Sequence, residues 1–161
     1  MKTAVYAGSF DPITYGHIDV LERAIALFDR VIITVARNSQ KEALFSTEER
    51  MDLIRDAVKI YPTVEVDVFN GLLVEYAKHK NASALVRGLR AISDFEYEFQ
   101  MSLMNRKLYE ELVTVFLMPH EKYTYLNSTI IRELARLQKD CSEFVPPNVN
   151  RALIERFGTL S

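Results

Sequence analysis

The feature that most narrows the fold is a repeated change of hydrophobic period along the chain. Short apolar, mostly β-branched runs alternate about five times with stretches whose apolar residues recur at helical spacing. Thr3–Ala7 is such a run, closed by Gly8. Ile18, Leu21, Ile25 and Phe28 then share one helical face, with Asp19, Glu22 and Arg23 elsewhere. Val31–Ala36 is continuously apolar or β-branched, as expected for a strand covered on both faces. Ser46-Thr47-Glu48-Glu49 has capping-box spacing and opens a helix with Met51, Ile54 and Val58 as its stripe. Val64, Val66 and Val68 alternate with Glu65 and Asp67, which predicts an edge strand with one wet face. Leu72–Lys80 reads as a helix and Ser83–Val86 as a strand. Ser93-Asp94-Phe95-Glu96 repeats the capping-box spacing and starts a helix to about Leu108. Val113–Met118 is a strand stopped by Pro119, followed by helices from Ser128 to about Gln138 and over Val149–Phe157. This alternation predicts an α/β fold, a doubly wound sheet of about five parallel strands flanked by helices.

With 161 residues, no linker-like tract and no internal repeat, the expectation is one domain over residues 1–161. Hydrophobic residues at 48% and charged residues at 26% exclude a wholly disordered chain. Twenty Lys and Arg against twenty-two Asp and Glu give a net charge of -2, so nucleic acid and anionic membrane are not the expected partners. The lone Cys141 forms no internal disulfide, and His17, His79 and His120 lie far apart, so no metal-ligating residues are assigned. No hydrophobic signal core precedes Asp11, and no apolar run approaches the ~18 residues of a membrane span, so a cytoplasmic protein is expected.

Ligands of open α/β sheets bind beyond the carboxyl ends of the strands, which directs attention to the strand-to-helix turns. The first reads Gly8-Ser9-Phe10-Asp11-Pro12-Ile13-Thr14-Tyr15-Gly16-His17. Its glycines permit close backbone approach, the helix start offers unpaired N–H groups, and His17 is placed to donate to a phosphate oxygen. Neither G-x-x-x-x-G-K-[ST] nor G-x-G-x-x-G occurs. The plainer alternative is a structural turn with a capping Thr14 and a surface histidine. By residue type alone Lys41 is a solvated lysine in a charged loop. Arg87 and Arg90, three apart across Gly88, are equally surface charges satisfied by Asp94 or Glu98.

Three blocks in register change that balance. Thr14-Tyr15-Gly16-His17 resembles the T/H-x-G-H motif of the nucleotidyltransferase superfamily, with Gly8-Ser9-Phe10-Asp11-Pro12 before it in the form usual for small adenylyltransferases. Arg87-Gly88-Leu89-Arg90 followed by Asp94-Phe95-Glu96-Tyr97-Glu98 is similar to the phosphopantetheine adenylyltransferase family in particular. So is Tyr125-Leu126-Asn127-Ser128-Thr129 followed by Ile131-Arg132-Glu133. The resemblance runs from Val5 to about Phe157 and implies a Rossmann-like fold. It implies transfer of the adenylyl group of ATP to 4′-phosphopantetheine, giving dephospho-coenzyme A and pyrophosphate by direct in-line attack. Such a reaction needs orientation and positive electrostatics rather than a protein nucleophile, and no Ser/His/Asp or Cys/His constellation points elsewhere.

By the same resemblance His17 stabilises the transition state, with Lys41 and Arg90 also at the catalytic centre. Ser9 lies where the two substrates meet, and Ser9, Lys41, Leu73 and Arg87 hold the acceptor. Ser9, Phe10, His17, Gly88, Leu89, Arg90, Glu98 and the segment Tyr123, Thr124, Tyr125, Leu126, Asn127, Ser128 and Thr129 bind ATP. Mg²⁺ is expected to arrive with ATP, ligated by phosphate and water, and the family implies a homohexamer. Ala7 stands where the family commonly has Pro, and Asn127 and Thr129 stand in a segment that is usually serine-rich. Asn and Thr keep hydrogen-bonding and capping ability. The competing readings are adenylyl or cytidylyl transfer to another small phosphorylated acceptor and a non-catalytic ATP-binding sensor.

Overall fold

The computed structural model describes residues 1–37, 42–90 and 92–160, with the side chains of 92–94 left aside. Five parallel strands form one sheet: β1 (Thr3–Gly8), β2 (Arg30–Ala36), β3 (Val64–Phe69), β4 (Ala84–Gly88) and β5 (Val113–Leu117). Their spatial order is β3-β2-β1-β4-β5, so β3 is an edge as its wet face predicts, and the winding reverses between β1 and β4. The helices are α1 (Tyr15–Leu27), α2 (Thr47–Val58), α3 (Leu73–His79), α4 (Ile92–Leu108), α5 (Ser128–Arg136) and α6 (Pro147–Phe157). One short 3₁₀ turn, Glu121–Tyr123, interrupts the segment read from sequence as a loop.

Successive side chains of a strand point to opposite faces, and the two faces of β1 feed two cores. Ala4 and Tyr6 join Val31, Ile33, Val35 and Val86 beneath α1, α2, α5 and α6, whose contributions include Leu21, Ile54, Ile131 and Leu153. Val5 and Ala7 join Ile32 and Leu85 in a smaller core closed by Val74 and Ala77 of α3. Burial on both faces accounts for the unbroken apolar run of β2.

The helix starts follow from local chemistry. Ser46 Oγ accepts from Glu49 N–H at 3.1 Å while Glu49 Oε2 accepts from Ser46 N–H at 2.7 Å, the reciprocal box expected before α2. The second expected box is not an N-terminal boundary: α4 already includes Ile92, so Ser93 lies inside its first turn. Four hydrogen bonds gather the loops at the carboxyl end of the sheet. The buried Asp11 carboxylate accepts from Leu44 N–H at 2.8 Å and Phe45 N–H at 2.9 Å, binding the first turn to the loop before α2. Ser128 Oγ donates to Pro12 O at 2.8 Å and Arg132 Nη1 to Asp11 O at 2.7 Å, binding α5 to the same turn.

Candidate active site

A cleft of about 730 Å³ opens beyond the carboxyl ends of β1 and β4, where the winding of the sheet reverses. Reversal sends the two neighbouring connections to opposite faces and leaves a crevice between them. Its walls come from the first turn (Ser9, Phe10 and His17), the end of β4 (Arg87, Gly88 and Arg90) and the start of α5 (Asn127, Ser128 and Thr129).

His17 has a part in helix capping that sequence reasoning assigns to Thr14 alone. Thr14 is the N-cap of α1, its hydroxyl accepting from His17 N–H at 3.4 Å, and Thr14 N–H donates to His17 Nδ1 at 3.0 Å. The histidine thus takes the place of the usual Glu or Gln of a capping box. Because Nδ1 accepts, the neutral ring carries its proton on Nε2. Burial first, and then the positive charge of Arg90, pull its pKa from 6.5 down to about 4. The ring is therefore neutral at physiological pH, oriented, and a single-proton donor. Phe10 packs edge-on against it, ring centroids 5.0 Å apart, and edge-on against Tyr6 at 5.3 Å. Gly8 leaves room for that packing, since a Cβ there would lie 3.1 Å from the Phe10 ring, a tight approach.

Arg87 is held in a fork. Its Nε and Nη2 donate to the two oxygens of Glu98 at 2.8 and 2.7 Å, and Nη1 donates to Ala7 O at 2.9 Å. Glu98 was expected at the ATP site, and it does line the cleft, but its carboxylate is engaged with Arg87. Arg90 reaches from the β4 turn toward Leu126 O at 3.5 Å. On the opposite wall Asn127 caps α5, its Oδ1 accepting from Ile130 N–H at 2.9 Å. An Asn in a usually serine-rich segment therefore keeps the cap, and the first amides of α5 face an anion-ready end of the helix.

The structure brings together Ser9, Phe10, His17, Arg87, Gly88, Arg90, Glu98, Tyr123, Leu126, Asn127, Ser128 and Thr129. Four expected residues are not in its lining. Leu89 N–H donates to Leu117 O at 3.0 Å, continuing the ladder between β4 and β5. Thr124 Oγ1 donates to Glu121 O at 2.7 Å at the end of the 3₁₀ turn, and Tyr125 is exposed with its ring nearly perpendicular to that of Phe144. Leu73 packs in the smaller core on the α3 side. Lys41 lies outside the described residues. Sequence reasoning assigned no role to Arg132, which lines the cleft with Nη2 donating to Thr129 Oγ1 at 3.1 Å. Its position one helical turn after Ser128-Thr129 was the available signal. Among the described residues, no group of three His, Cys, Asp or Glu side chains is arranged to hold a metal ion, and no helix is long and apolar enough to cross a membrane.

A family model described as Cytidylyltransferase-like matches residues 5–134. The phosphopantetheine adenylyltransferase of Caldanaerobacter subterraneus subsp. tengcongensis is 53% identical over 157 residues, covering 98% of each chain. That of Moorella thermoacetica is 53% identical over 160 residues, covering 99% of this chain and 100% of its own. Among solved structures, the lipopolysaccharide core biosynthesis protein from Thermoplasma volcanium superposes with a TM-score of 0.58 at 21% identity, covering 74% of this chain and 98% of its own. This last similarity is one of fold.

Proposed function

Because the chain belongs to the phosphopantetheine adenylyltransferases within the Cytidylyltransferase-like family, we infer that the cleft at the β1–β4 reversal is where it transfers the adenylyl group of ATP to 4′-phosphopantetheine. A phosphate oxygen of the acceptor forms a bond to the α-phosphorus. The bond from that phosphorus to the oxygen bridging to the β-phosphate breaks, and pyrophosphate leaves with the electron pair. The products are dephospho-coenzyme A and pyrophosphate, and the step serves coenzyme A synthesis.

The observation that carries the assignment of the site is His17, neutral and fixed by Thr14 with its remaining proton on Nε2. In-line attack concentrates negative charge on oxygens around the α-phosphorus, and an oriented neutral donor stabilises that charge without having to lose a proton itself. Arg90 and the Asn127–Thr129 helix start would hold the nucleotide phosphates, with Arg132 beside Thr129 adding positive charge. Ser9 would stand between the substrates, Tyr123 beside the base, and Lys41 at the acceptor phosphate. Arg87 would reach the acceptor only by sharing its fork with Glu98.

Among the described residues the carboxylates of the cleft do not compose a metal cage: Glu98 is engaged with Arg87, and Glu133 is the other carboxylate of the described lining. Mg²⁺ belongs to this reading as a companion of ATP, ligated by phosphate and water. The reading also includes one domain over residues 1–161, a homohexamer, and a cytoplasmic setting, with which the buried free thiol of Cys141 is compatible.

The deciding experiment is pyrophosphate release from ATP with 4′-phosphopantetheine as acceptor. Acceptor-dependent release is expected. Release with nicotinate mononucleotide or glycerol phosphate instead would transfer the chain to another acceptor, and ATP binding without turnover on any of them would make it a sensor.

A further inference from the structure

Arg50 stands apart from the other charged side chains. It lies in the first turn of α2 and is only 2% exposed. Its guanidinium donates from Nη1 to Ser9 O at 2.7 Å, from Nη2 to Thr47 Oγ1 at 3.2 Å and from Nε to Ser46 O at 3.4 Å. All three partners are neutral oxygens. Buried cations are ordinarily matched by a carboxylate, and a positive group near a helix N-terminus opposes the helix dipole. Both features cost stability, so an arginine here asks for a role beyond that of a helix-start side chain.

The shortest of its bonds goes to the loop at the cleft. Ser9 and Phe10 line the cleft and Arg50 does not, so the guanidinium grips that loop from behind. The cis peptide among the described residues is Asp11–Pro12, so the Ser9–Phe10 peptide is trans and its N–H points opposite to its C=O. With the carbonyl held on Arg50, the Phe10 N–H is turned toward the cleft side of the loop. Phe10 itself has φ 46°, in the left-handed region that an aromatic residue seldom occupies. Such a conformation persists only when its surroundings over-determine it. Here the ring is packed between Tyr6 and His17 while the preceding carbonyl is tied to Arg50.

We propose that Arg50 is a positioning residue for adenylyl transfer: it fixes the Ser9–Phe10 peptide with its N–H directed at the reacting phosphates, and it sets a positive charge, facing only neutral oxygens among the described residues, behind them. The proposal rests on the function inferred above. Its logic is that a charge whose burial is costly in the free protein finds its counter-charge when phosphates occupy the cleft.

The test compares wild type, Arg50→Met and Arg50→Lys, each full length, by acceptor-dependent pyrophosphate release, ATP affinity and thermal melting. Methionine keeps an unbranched stem without donors. Lysine keeps the charge but not the planar fork that spans Ser9 O and Thr47 Oγ1. In Arg50→Met, kcat is expected to fall about 10–100-fold while the Kd for ATP moves less than about threefold; Arg50→Lys is expected to lie about 3–10-fold below wild type. A merely structural role would lower the melting temperature and leave kcat per folded site unchanged. Folded Arg50→Met with kcat within about twofold of wild type overturns the proposal. Should Arg50→Met not fold, Arg50→Lys decides by the same criterion: an unchanged kcat overturns the proposal, and a reduced kcat at unchanged ATP affinity supports it. A wild type that releases no pyrophosphate removes the adenylyl-transfer reading and this role with it. An active wild type beside an unaffected variant removes the role alone.

Discussion

At the scale of single residues, the proposed role of His17 ties helix capping to catalysis through its two ring nitrogens. Nδ1 is occupied by Thr14 N–H, which leaves Nε2 to donate. His17→Ala is therefore expected to lower kcat by roughly 10²–10³-fold, the scale for losing one transition-state donor. ATP affinity should change much less, since Arg90 and the α5 start remain. The same variant also loses half of a capping box, a cost of about 1 kcal/mol. Glutamine, the ordinary partner in such a box, should restore that stability without restoring turnover, because its amide cannot serve Thr14 and the phosphate from opposite sides as a ring does. The low pKa adds a pH signature with a definite sign. The unfolded chain takes up a proton on this histidine near pH 6.5, whereas the folded protein takes it up only near pH 4. Between those values the unfolded state binds more protons, so stability contributed by neutral His17 is present above pH 6.5 and is lost as the pH falls toward 4. Melting curves of wild type and His17→Gln should diverge in that window, the variant showing the shallower decline. Parallel curves would mean that folding leaves the His17 pKa unlowered, whereas a folded His17→Ala with near-normal turnover would return His17 to a purely structural role.

At the scale of elements, the fork from Arg87 at the end of β4 to Glu98 on α4 is a polar tie between that helix and the cleft. Arg87 and Glu98 are 31% and 12% exposed in their side chains, so screening is partial and the pair should be worth more than a surface ion pair. Urea unfolding of Arg87→Ala, Glu98→Ala and the double variant is expected to give a coupling energy of about 1 kcal/mol or somewhat more. Additive losses would mean that the two act separately. What was legible in the sequence, and what was not, divides along the same line. The strands, most helix starts and the edge position of β3 were readable because period and capping are local properties: Val64, Val66 and Val68 announce their own wet face, and Ser46 its own helix. The gathering of residues 8–17, 87–90 and 126–129 at one reversal point was readable through a family resemblance carried by those same turns. The choice of Glu98 over Asp94 as the partner of Arg87 and the grip of Arg50 on Ser9 were not. Each depends on which distant backbone or side-chain atom arrives opposite a residue, and no local pattern encodes that. Asn127 was readable on both counts, its capping chemistry from residue type and its place on the cleft wall through the family resemblance.

At the scale of the whole molecule, α4 is the element that a single copy of the chain leaves uncovered. Phe95, Tyr97, Phe99, Met101, Leu103, Met104 and Leu108 are all exposed on it, and Val113 and Met118 are exposed on the segment that follows. The other helices with buried apolar residues direct them into the two cores beside the sheet. A monomer rarely presents so many large apolar side chains along one element, and an interface between copies is the economical way to remove them from water. This supports the homohexamer of the proposed function and gives it a specific surface. The solution mass by light scattering is expected to be about six times that of one chain. Replacing Leu103 and Met104 by Glu places two charges on that surface, where burial without partners is costly. The double variant should run as smaller species while keeping its helical and sheet signal by circular dichroism, because neither side chain belongs to the cores described above. A wild type that is monomeric at assay concentration and fully active would reject the assembly. The proposed chemistry would survive that result, because the described walls of the cleft come from β1, β4, α1, α4 and α5 of one chain.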